Sequence, residues 1–209
     1  MATAVCLEIG TKRVFASALD WPGWCRSGKT EEDALETLAD YAERYAAVPV
    51  RAGVRFGVKA AEDFVVVERL AGNATTDFGA PAVPARAESA AVDARSAKGT
   101  AALVWACWEL FDDVVANAPS RLRKGPRGGG RDRDKIVEHV ADAETSYARK
   151  LGIKGIRDHA ELRRAVAEVL GRRWDGTGVA DNAWPTRYLA RRIAWHALDH
   201  AWEIEDKSE

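Results

Sequence analysis

The sequence predicts an α+β protein, with a small α/β module followed by an all-α four-helix bundle. Three observations point there. Short β-prone runs bounded by turn residues occupy the chain up to Glu68. Beyond Ala87 the apolar spacing becomes helical and stays so. Three of the four histidines fall where two of the later helices can bring them together. The expected organisation is an α/β module over residues 1–72, a linker over 73–87 and the bundle over 88–209.

Val5–Glu8 and Val14–Leu19 alternate loosely, with Gly10, Thr11 and Lys12 between them, and read as a hairpin. Trp21-Pro22-Gly23 ends the second strand, because Pro has no ladder donor and Gly favours a turn. Thr30 is placed as a helix N-cap, and Glu31, Glu32 and Asp33 complement the positive helix end. Ala34, Leu35, Leu38, Tyr41, Ala42 and Tyr45 follow at helical spacing, up to a stop at Pro49. Val54–Val58 and Phe64–Glu68 read as further strands. Gly72–Ala87 has linker composition without periodicity. The first bundle helix carries Leu103, Cys107, Leu110, Phe111 and Val114 and ends before Pro119. A basic, Gly-rich loop spans Arg121–Arg133, and a helix then opens near Asp134 and runs through Ile136, Val140, Ala143 and Tyr147 to the region of Gly152. Leu162, Val166 and Val169 mark a third helix stopped near Gly171, and Pro185 opens a fourth through Ile193 and Ile204.

Composition narrows the function classes. Net charge is -1, and neither half is basic: residues 1–72 hold 9 basic and 11 acidic side chains, the remainder 22 and 21. Nucleic acid is therefore not an expected partner. No apolar run approaches the roughly 20 residues that span a bilayer, and the N-terminus lacks a secretory pattern, so the expectation is a cytoplasmic protein without a membrane partner. Cys6, Cys25 and Cys107 form no C-x-x-C pair, which fits reduced thiols. A homodimer is the default expectation for oligomeric state.

His196 and His200 are four residues apart, about 400° of helical rotation, so both rings leave one face. His139 lies midway along a neighbouring helix. Three imidazoles with an open position suit zinc, and also nickel, iron or copper. H-x-x-x-H alone is weak, since paired helical histidines are commonly surface or core groups. His159, beside Asp158 at a helix start, reads as a capping or solvated residue. Glu203, seven residues after His196, is a candidate orienter or extra ligand; Asp199 and Glu144 are weaker candidates for that role. Arg121, Arg123, Lys124, Arg127, Arg131, Arg133 and Lys135 give the basic loop the chemistry to meet an anion, with Arg127, Arg131 and Arg133 the candidates. The alternative is a solvated loop.

Two stretches carry a family resemblance. Lys135-Ile-Val-Glu-His139-Val-Ala-Asp-Ala-Glu144 and Arg191-Arg-Ile-Ala-Trp-His196-Ala-Leu-Asp-His200-Ala-Trp-Glu203-Ile resemble the DinB superfamily of YfiT-like metalloenzymes, over roughly 88–206. The resemblance implies a four-helix bundle holding one divalent ion (Zn, Ni or Fe) on His139, His196 and His200. It also implies a thiol-dependent transferase or isomerase, with mycothiol, bacillithiol or glutathione as the low-molecular-weight thiol and a small molecule as substrate. Glu203 stands where many relatives carry Gln. Ala18-Leu-Asp-Trp21-Pro22-Gly23-Trp24-Cys25-Arg-Ser-Gly28-Lys-Thr30-Glu-Glu-Asp-Ala34-Leu35 resembles the HicB-like antitoxin fold. That implies a partner-binding module, but a metal-binding bundle follows where a DNA-binding segment is usual. Trp21 and Trp24 read either as exposed anchors or as packing of the small core. The expected function is a metal-dependent enzyme; the alternative is a non-catalytic binding or regulatory protein acting through the HicB-like module.

Overall fold

A computed structural model describes residues 2–57, 61–125, 129–178 and 183–208. Strands β1 (Thr3–Ile9) and β2 (Val14–Ala18) form the antiparallel hairpin, in register from Val5↔Ala18 to Ile9↔Val14. After the Trp21–Gly23 turn the chain returns as β3 (Cys25–Gly28), a strand that the sequence reading passed over. Its four residues carry Arg, Ser and Gly and show no alternation, so only pairing with β2 reveals it. Thr30 then caps α1 (Glu31–Asp40): its hydroxyl accepts from the Asp33 amide at 3.0 Å, and the Asp33 carboxylate accepts from the Thr30 amide at 3.1 Å.

Pro49 does not end this helical stretch. The chain kinks at Tyr41 and Ala46 and continues as α2 (Ala42–Tyr45) and α3 (Ala47–Arg51). Pro49 sits in the first turn of α3, where its missing N–H has no intrahelical partner to lose. Left-handed Gly53 follows the end of the run. Residues 54–57 form no strand, and Val58 lies outside the described residues. Instead Phe56 joins Trp21, Trp24 and Tyr45 in an aromatic cluster. Strand β4 (Phe64–Ala71) pairs parallel to β1 and completes the sheet order β3-β2-β1-β4.

The stretch after β4 is folded rather than plain. It holds α4 (Ala74–Phe78), capped by Asn73, and a 3-10 turn at Arg86–Ser89. Buried Glu8 on β1 gathers it: its carboxylate accepts from Thr76 Oγ1 at 2.5 Å and from the Ala82 and Val83 amides at 2.9–3.0 Å.

Four helices complete the chain: α5 (Ala94–Asn117), α6 (Arg133–Arg149), α7 (His159–Leu170) and α8 (Thr186–Ser208). They pack on one another, α8 most extensively on α5. The result is a mixed α+β protein with its strands first and its helical part last. One hydrophobic core runs through both parts, including Val5, Leu7, Trp24, Leu38 and Tyr45 with Cys107, Phe111, Ile136, Ile193 and Leu198. Trp24 is fully buried, stacks on Tyr45 and donates to the Leu38 carbonyl at 2.9 Å; Trp21 packs at its side. Both tryptophans therefore serve the core. Gly23 makes the join possible: its φ is +93°, and a Cβ there would stand 2.6 Å from Leu198 Cδ1 on α8.

Candidate metal centre

On α6, Ile136, Val140, Glu144 and Ala148 face the interior, and His139 and Tyr147 lie on an adjoining, partly open face. On α8 nearly every side chain before Ile204 is buried, so its polar groups are held between helices. This places His139, His196 and His200 together. Their ring centroids stand 5.0, 5.0 and 4.7 Å apart, and one ring nitrogen from each lies within 4.8 Å of the others. His196 is 7% exposed and His200 9%.

The donor set fits a divalent cation on three counts. His196 Nε2 faces His139 Nε2 at 3.2 Å. Two imidazole nitrogens bound at about 2.0–2.1 Å to one tetrahedral zinc stand about 3.3 Å apart. With both lone pairs turned inward that contact is repulsive unless a cation or a proton lies between them. Second, His200 Nδ1 meets Glu203 Oε2 at 2.7 Å, which fixes the ring and leaves Nε2 for a ligand. Third, burial and neighbouring positive charge favour the neutral, ligating form of two rings. Burial, His200 and His139 depress His196 to about 2, and burial, His200 and Arg131 lower His139. Glu203 is itself depressed to about 2, by its bond to His200 and also by Lys207, so it stays an anion.

The other candidates divide. Glu203 is the carboxylate that meets His200. Asp199 turns the other way and binds Arg26 on β3 at 2.8 Å. Buried Glu144 belongs to a separate group on α5, α6 and α7: it accepts from Arg163 at 2.9 and 3.1 Å, and Arg163 also binds Asp112 at 2.8 Å. Asp158 rather than His159 is the cap; His159, with its side chain 39% exposed, places Nε2 2.7 Å from Glu144. In the basic loop, Arg127 lies outside the described residues. Arg133 is committed to the Ala118 carbonyl and Asp134, both at 2.8 Å, and Arg123 to the Asp206 carbonyl at 2.8 Å. Arg131 is exposed and close enough to act on His139 and His196 as a positive charge. The stretch 73–87 makes its bonds at Glu8, not at the histidines.

The cysteines stand apart from this centre. All three are free and buried, and burial pushes Cys6 up to about 11, Cys25 to about 12 and Cys107 higher still.

Sequence reading missed two neighbours of the cluster, Arg192 and Tyr147 in its site role. The signal was available: Arg192 lies four residues before His196, and Tyr147 eight after His139, so each continues its helix's histidine face. No protein-family model, curated protein or solved structure matches the chain.

Proposed function

We propose that the chain is a divalent-metal-dependent enzyme of the DinB type that uses an external low-molecular-weight thiol, as an S-transferase or isomerase. One observation carries the reading: three imidazoles converge from two helices, and a carboxylate meets one of them. A bound zinc, nickel or iron ion there would supply the charge that keeps a thiol or a water deprotonated at neutral pH. The protein's part is to hold that position. His139, His196 and His200 give the ring-nitrogen donors, Glu203 fixes the His200 ring, and the helix packing excludes bulk water from His196. The chain's own thiols, buried and raised, are unsuited to be the nucleophile, so the thiol comes from solution. The resemblance of residues 88–206 to the DinB superfamily supports the same reading.

Elemental analysis tests it. The wild type should carry about one equivalent of metal per chain after reconstitution, and His139→Ala and His196→Ala should lose it. A wild type that retains none of zinc, nickel, iron or copper overturns the reading.

A second reading, a binding protein acting through the HicB-like module, has one observation in its favour. Strand β4 is an edge strand and exposes Val65 and Val67. It predicts that partner capture survives His196→Ala and fails in Val65→Lys/Val67→Lys.

A further inference from the structure

Three arginines are buried among the described residues: Arg163, Arg191 and Arg192. Two have carboxylate partners. Arg163 binds Glu144 and Asp112, and Arg191 binds buried Glu88 at 2.6 and 3.0 Å, with Ser17 and the Val83 carbonyl besides. Arg192 is 8% exposed, and its buried Nε and Nη1 have no hydrogen-bond partner. A desolvated guanidinium without an acceptor is unfavourable, and folded proteins keep such a group where a ligand completes it.

The position of Arg192 says which ligand. It precedes His196 by one helical turn, so it shares the face that carries His196 and His200. Its guanidinium lies over the rings of Trp195 at 4.8 Å and Tyr147 at 5.5 Å, and the Tyr147 ring stands 5.9 Å from that of His196. Ring contacts occupy the faces of a guanidinium; its N–H donors point outward in the plane and remain free. Trp184, which packs on Tyr147 at 5.7 Å, extends the aromatic surface. Arg131 adds positive charge on the His139 side. Among the described residues neither cation is in an ion pair; the carboxylates that act on the histidines are Glu203, already bound to His200 and Lys207, and Asp142, which acts on His139.

The geometry points to Arg192 as the anchor for a carboxylate on the small molecule handled at the three-histidine centre. The inference deepens the metal-enzyme reading and rests on it for the identity of the neighbouring site. The in-plane N–H donors of Arg192 match the two oxygens of a carboxylate, the anion we assign to it. The aromatic flank suits a planar or apolar body between the anion and the histidines. Arg192 is accordingly a binding residue that selects charge.

The test compares propionate with its neutral isostere propionamide by calorimetric titration, on metal-free and on zinc-loaded protein. Propionate should bind at least tenfold more tightly in both forms. Arg192→Gln should reduce that preference to within about twofold, through loss of a charge-assisted bond, and leave the weak propionamide affinity unchanged. Arg192→Lys, which keeps the charge, should retain part of the preference and covers the case in which the Gln variant folds poorly. Thermal melting gives an independent readout: removal of an unpaired buried cation should leave the midpoint of Arg192→Gln equal to or above the wild type. Equal affinity for the two probes in wild-type protein, or a preference that survives Arg192→Gln, overturns the inference. Inorganic phosphate competing more strongly than propionate overturns the carboxylate assignment. Protein that takes up none of zinc, nickel, iron or copper overturns the metal reading alone, and the metal-free titration then still decides the role of Arg192.

Discussion

Glu203 and His196 show how single residues set the centre's properties. Glu203 touches His200 through Nδ1, away from the shared metal position, so its effect is to fix the ring. Glu203→Gln keeps an acceptor but removes the anion. We expect metal affinity to fall about 10- to 100-fold with the far-ultraviolet spectrum unchanged, read by competition with a chromophoric chelator. His196 makes stability depend on pH in the metal-free protein. Its folded pKa, about 2, lies far below the unfolded value of about 6.5, so between those values the unfolded chain binds the extra proton. The neutral ring's contribution is thus fully present above pH about 6.5 and is lost as pH falls below it, on the order of 1 kcal/mol per pH unit. Denaturant titrations with chelator at pH 7.5 and 5.5 should show that loss, and His196→Gln should flatten it. The informative quantity is the difference between variant and wild type.

At the scale of elements, the turn between β2 and β3 does more than reverse the chain. Gly23 presses against α8 at Leu198 and against Cys107 on α5, and the Tyr45 hydroxyl donates to the Pro22 carbonyl at 2.9 Å. The turn is therefore an insertion into the helical part. Gly23→Ala combines a positive φ with a Cβ overlap at Leu198 Cδ1, and should lower stability by roughly 2 kcal/mol or more in chemical denaturation. An effect of a few tenths would mean that the turn rests loosely on α8. The helix α8 fixes where the three-histidine cluster stands: it is buried along most of its length, with the sheet reached through Trp195 on Phe15 and α6 reached through the histidines. Ligands on such an element stay where packing puts them.

For the whole molecule, the Arg191–Glu88 pair is the chief polar tie between α8 and the stretch that follows β4. Both groups are fully enclosed. Arg191→Met leaves buried Glu88 without its ion partner, with only the Ala85 amide to meet it, and should cost about 3–5 kcal/mol. Because sheet and helices share one core, we expect this loss to appear as a single transition shifted to lower temperature, in calorimetry and in tryptophan fluorescence alike. Two separated transitions, with only one shifted, would show that the sheet and the helices melt independently. The adjacent Arg192 should respond in the opposite sense, since it has no carboxylate to strand.

By itself the sequence determined what depends on local spacing and local chemistry. The Val5–Glu8 and Val14–Leu19 alternation, the Thr30 cap, the stops at Pro119 and Gly171 and the four-residue step from His196 to His200 all follow from strand and helix periodicity. Hence the strands-then-helices order and the three histidines could be read in advance. What local rules could not supply was the partner across space. Strand β3 exists because β2 pairs with it, and Pro49 fits because the helical run restarts before it. Asp199 and Glu203 are both carboxylates and near neighbours on α8, yet one is drawn to Arg26 and the other to His200. Arg191 and Arg192 are adjacent and chemically identical, and about 100° of helix rotation sends one to Glu88 and leaves the other beside the histidines without a partner. Those assignments were decided only by tertiary packing, because a buried charge takes its role from the group that meets it.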